Sequence, residues 1–173
     1  MAEDREIIKL VCDIIQAEMA LTDQQIWIYD QKRDIPNTLG PFVVVRIISE
    51  TPIGSKRKYE SVAEGLMEHQ SINLLSRVMI DILSRNDDAR VRRHEIIMAL
   101  ESTYAQQMQE KYSFSIGRLP SDLIDISDVE ETRIPYRFNL SFNITFKKEK
   151  SKLVDYYDKF QKAVVYTDPQ TEA

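Results

Sequence analysis

The sequence holds one cysteine, two histidines and four glycines among 173 residues, and each shortage removes a class of function. With Cys12 alone, an intrachain disulfide and any multi-cysteine zinc site are excluded. The glycines stand at 40, 54, 65 and 117, too dispersed for a loop that cradles phosphate with its backbone amides. His69 and His94 belong to no histidine-rich metal spacing, and no glycine-flanked nucleophile is present. A Ser–His–Asp triad stays open, because its members need not be close in sequence. Nowhere do eighteen apolar residues run together, so no membrane-spanning helix is expected. The opening MAEDREIIKL lacks the basic-then-apolar order of a secretory signal, so synthesis and retention in the cytoplasm are expected. Neither a cofactor nor a metal is expected.

What is present reads as one globular domain over residues 1–167 with a polar tail at 168–173. Hydrophobic residues make up 43% and charged residues 29%, and the formal charge is -5. That charge argues against general attraction to nucleic acid or anionic lipid, though not against a local basic patch.

Periodicity supplies the elements. Ile7, Ile8, Val11, Ile14, Ile15 and Met19 recur at three- and four-residue spacing and predict a helix over about residues 3–19. QIWIYD reads as a short strand, DQKRDIPNTLGP as a loop, and FVVVRIIS as a β-branched buried strand. Residues 51–66 hold Pro52, Gly54 and Gly65 around the basic SKRKY, and read as an exposed loop or a long hairpin tip. Over 74–84 a strand is favoured, because Ile72, Val78, Ile80 and Ile82 are β-branched; Leu75, Val78, Met79, Ile82 and Leu83 would also line a helix. From Asp87 or Asp88 to about Lys111, the apolar set Val91, Ile96, Ile97, Leu100, Tyr104 and Met108 predicts one amphipathic helix of about six turns. LIDISDV is a short extended piece. KFQKAVVYTD offers a last strand.

The clearest signal is RIPYRFNLSFNITFKKEK. Tyr136, Phe138, Leu140, Phe142, Ile144 and Phe146 alternate with Arg137, Asn139, Ser141, Asn143 and Thr145, which is a strand with one buried face. The fold class expected is therefore α+β: a mostly antiparallel β-sheet with an N-terminal helix and one long helix packed on one face.

The polar side of that strand carries amides and hydroxyls, suited to hydrogen-bonded register with another surface rather than to chemistry. Arg137, Asn139 and Asn143 are its candidate interface residues. Lys56, Arg57, Lys58 and Tyr59 of SKRKY form a second candidate set. Arg90, Arg92 and Arg93 of ARVRRHE form a third, able to grip phosphate or carboxylates, or simply the exposed face of a helix. Asp122, Asp125 and Asp128, with Glu130 and Glu131, lack the alternating spacing of a calcium loop and read as a solvated or lumen-facing acidic edge.

Taken together, IWIYDQKRDIPNTLGPFVVVRIIS, the helix behind SRNDDARVRRHEIIMAL, and DISDVEETRIPYRFNLSFNITF resemble the tail terminator (neck terminator) proteins of tailed bacteriophages. The likeness spans about residues 20–167, and Phe42 departs from the family's usual tyrosine after proline. The resemblance implies a non-enzymatic virion protein, located at the tail–head neck, that forms a ring, commonly of about six copies. Such a ring caps the head-proximal end of the tail tube, stops its polymerisation and joins it to the head. The partners implied are a second copy of this chain, the tail tube protein, and the head-side connector or neck protein, with the sheath as a further candidate. DNA would pass through without specific binding, and no membrane is involved. Three other readings stand beside it: a head- or tail-completion protein of a neighbouring layer, an enzyme with a dispersed site around His69 or His94, and a small regulatory domain gripping an acidic partner.

Overall fold

The computed structural model describes residues 6–28, 40–63, 65–127 and 136–154. The elements run α1 (Ile7–Glu18), β1 (Ile26–Ile28), β2 (Phe42–Val62), β3 (Gly65–Ser84), α2 (Asp88–Arg92), α3 (Glu95–Leu100), α4 (Thr103–Tyr112), β4 (Phe114–Ile116), β5 (Ile124–Asp125) and β6 (Tyr136–Val154). The described strands form one sheet in the order β1-β2-β3-β6-β4, with β5 also on β6; among them only β1 and β2 pair in parallel. The fold is α+β, with a mostly antiparallel sheet.

Alternation decides which sheet face is covered. Val43, Val45, Val78, Ile80, Ile82, Phe138, Leu140, Phe142 and Ile144 all turn to one side, and the registers Val45↔Ile80 and Ile80↔Leu140 lay them in rows. Onto them pack the apolar stripe of α1 and Ala89, Ile96, Ala99, Leu100, Ala105 and Met108 of the other helices. Every helix therefore lies on the same face. A smaller cluster of Trp27, Phe42 and Leu83 occupies the opposite face, with the Trp27 and Phe42 rings stacked at 5.3 Å.

The expected six-turn helix is a correction: the chain makes three short helices instead. Val91, counted toward its apolar stripe, and Met98 are 70% and 69% exposed, on the side opposite buried Ala89, Ile96 and Leu100, while buried Ala105 and Met108 fall off the side of those three, so no single straight axis satisfies the burial. The bend falls at Ser102, whose backbone is extended and whose Oγ accepts from the Ala105 amide at 3.0 Å. Capping there ends α3 and starts α4. The buried Ser84 hydroxyl likewise accepts from the Ala89 amide at 2.9 Å and joins the end of β3 to α2.

Residues 74–84 are strand, as favoured. The stretch 51–66 is the tip of a hairpin whose pairing continues to Val62↔Gly65, so it is not a loop. Pro52 is tolerated because β1 covers β2 only at Val43–Val45, leaving the outer edge without a ladder to interrupt. The expected last strand in KFQKAVVYTD lies outside the described residues.

Candidate assembly surface

Beyond the helix layer, three strands continue as a ribbon. From Ile48 to Val62 all of β2 is exposed. It pairs with β3, which pairs with β6 as far as Leu66↔Val154. At ~3.3 Å per residue, the run from Ser49 to Val62 makes an arm about 40 Å long. Ladder hydrogen bonds hold a strand whatever its side chains, so this polar stretch stays extended with no helix beneath it. Two bulges, at Ile48 and Ile53, shift its register on the way out.

Near the tip, one carboxylate organises the ribbon. Tyr59, Glu68 and Lys152 share a row across the three strands. Glu68 is only 4% exposed. Arg57 Nε lies 2.8 Å and Lys152 Nζ 3.1 Å from its oxygens, while Gln70 Nε2 donates at 2.9 Å and the Tyr59 hydroxyl at 3.3 Å. The hydrogen bonds from Gln70 and then Lys152 hold its carboxyl below the ordinary range, against the desolvation imposed by the covering side chains. On the reverse face, His69 Nδ1 lies 2.7 Å from Ser151 Oγ and its Nε2 3.5 Å from Glu60.

On the body, the side of the sheet away from the helices carries a second charged cluster. Asp81, 1% exposed, accepts from Asn139 Nδ2 at 2.6 Å; Arg137 and Arg46 approach its other oxygen at 3.4 and 3.9 Å. Asn139 is thus buried on the sheet, and Arg137 is committed to a neighbouring strand. Neither is an open interface residue, a correction to the sequence reading. Asn143 is exposed, and its carbonyl accepts from the Gly117 amide at 2.8 Å.

The other expected residues divide similarly. Lys56, Arg57, Lys58 and Tyr59 are all exposed on the arm, Arg57 and Tyr59 with their polar ends on Glu68. Arg92 donates to the Met19 carbonyl at 2.7 Å and to Glu95 at 2.7 Å, so it ties α2 to the end of α1 rather than facing outward. The Arg93 guanidinium lies over the Phe138 ring at 4.9 Å, and Arg90 pairs loosely with Asp87 at 3.9 Å. Asp125 is held by the Ser127 hydroxyl and amide, and these hydrogen bonds, with Arg93 and Arg90 nearby, keep its carboxyl below the usual range. Members of the acidic and the basic candidate sets therefore come near one another beside β6. Asp122 is exposed, and Asp128 lies outside the described residues. His69 is on the arm and His94 at the α2–α3 junction of the body, so they do not share an element.

Sequence reasoning missed Glu68, Asp81 and the lysines of β6. A signal for the last was available: the period of two continues past Phe146 through Lys148, Lys150 and Lys152.

No protein-family model matches the chain, and no curated protein matches it in sequence.

Proposed function

We propose that the chain is a structural subunit that closes into a ring on the head-proximal end of a phage tail tube, ends tube polymerisation and joins the tail to the head connector. The observation that carries this reading is the arm: a ribbon about 40 Å long by its ~3.3 Å rise per residue, exposed along both outer strands, its central strand half-buried mainly by polar and charged neighbours, with no described helix beneath it. Such an element costs ordering entropy that burial inside the monomer does not return, and contact with another molecule is what offsets it. The resemblance in the sequence names the kind of assembly. Asp125 is engaged within the subunit by Ser127, while Asp122 is exposed to solvent.

The test is the absolute mass by light scattering over a concentration series, with negative-stain images of the same fractions and a capping assay on purified tail tubes. A ring with a central hole that stops tube growth is expected. A monomer that also leaves tube growth unchanged would sink the reading, and binding to the portal-side adaptor instead of the tube would move the subunit one layer along.

A further inference from the structure

Charge is distributed unevenly between the two parts of the molecule. Residues 49–77 and 143–154, which make the arm and its tip, hold eight lysines and arginines against five glutamates. The other described residues hold nine basic against twelve acidic side chains, so a basic prong stands on a mildly acidic body. On the arm face that carries Glu68, the cations Arg57, Lys148, Lys150 and Lys152 lie around its carboxylate, and Glu50 stands on the same face at the base of the arm, accepting from the Ser76 hydroxyl. Among the described residues nothing pairs with the arm's outer strands beyond the body: β1 reaches β2 only at Val43–Val45, and β4 reaches β6 only at Ile144–Phe146.

From this we infer that the arm of one subunit seats on the acidic helix layer of a second copy of this chain, a deepening that rests on the ring reading above. Like charge along both outer strands opposes edge-to-edge pairing of two arms, the usual hazard of an open ribbon. Opposite charge favours arm against body. The contact is then heterologous, with a different patch on each side, and heterologous contacts propagate around a ring. Glu18, Glu101 and Glu110, exposed on α1, at the end of α3 and on α4, are the acids that receive it.

The experiment mixes isotopically light and heavy full-length protein and couples amines to carboxylates with a zero-length carbodiimide, with mass measured by light scattering on the same samples. Mixed-isotope links between arm lysines and helix-layer glutamates are expected. They should be lost, along with the oligomer, in ~0.5 M salt and in K148E/K150E. A second variant, K148Q/K150Q, with unchanged circular dichroism and melting, guards against misfolding. Oligomers without mixed arm–body links, or unmoved by the substitutions, overturn the inference and leave the ring reading standing. A monomer at every concentration also overturns it, and tube capping then tests the ring reading separately. Retardation of duplex DNA by wild type but not K148E/K150E, with no change in mass, would assign the prong to nucleic acid and overturn it as well.

Discussion

Asn139 donates to Asp81 across 2.6 Å between β6 and β3, joining two buried polar side chains fifty-eight residues apart. It shows the sheet face away from the helices to be part of the monomer's own packing at this point, with Arg137 and Arg46 as further neighbours.

Asp81→Ala should destabilise the protein by roughly 3 kcal/mol, because it leaves two guanidinium groups near a site that has lost its carboxylate. Chemical denaturation followed by circular dichroism measures this. A loss below about 1 kcal/mol, the level of an exposed ion pair, would show that the cluster contributes little.

The arm should loosen in acid. Glu68 is held below its ordinary value of 4.5, chiefly by Gln70 and Lys152. A carboxyl lowered in the folded state adds stability that is fully present above its unfolded value and is lost as the pH falls through the folded one. Amide exchange in residues 65–72 should therefore be steady above pH 4.5 and accelerate, relative to intrinsic rates, on further acidification. Asp125 and Glu149 are lowered in the same direction, so Glu68→Gln is the comparison that isolates the effect. An unaltered profile in that variant would assign the loosening elsewhere.

Gly117→Ala should cost about 1–3 kcal/mol, since the added Cβ would lie 2.9 Å from the Asn143 carbonyl oxygen. That oxygen is backbone and accepts the Gly117 amide, so the edge strand β4 must shift away from β6. Thermal melting reads the loss; increased solvent exchange at the residue-117 amide, which donates to the Asn143 carbonyl, would locate it.

Arg92→Ala should lower stability by about 2 kcal/mol through its bonds to Met19 and Glu95. At a temperature where the variant stays folded, oligomeric mass should be unchanged. Loss of the oligomer with full stability would restore Arg92 to the interface.

Cys12 should resist alkylation in the native protein. Burial, aided by the negative charge of Asp13, pushes its thiol up to about 12, so almost no thiolate is present at neutral pH. Labelling with iodoacetamide should track unfolding by denaturant, and fast labelling of the native state would contradict the burial.

The sequence by itself determined the inner face of the sheet and its class. Phe138, Leu140, Phe142 and Ile144 are buried where alternation put them, and β-branching at Val78, Ile80 and Ile82 correctly favoured strand over helix. These are local signals, because a strand's own side chains report which face is covered. Only the tertiary structure decided the rest. Polar residues do not reveal whether a strand ends or merely leaves the core, so the reach of β2, β3 and β6 into an arm depended on finding their partners. Val91 was counted with the apolar set but is exposed, because at about two and a half turns from buried Leu100 it points away from the core. The charged candidates were sorted in the same way: Arg57, Arg92, Arg137 and Asp125 were recognisable as charges, but their engagement was set by groups brought close in space. Electrostatic interactions fall with distance through space, and sequence separation does not measure that distance.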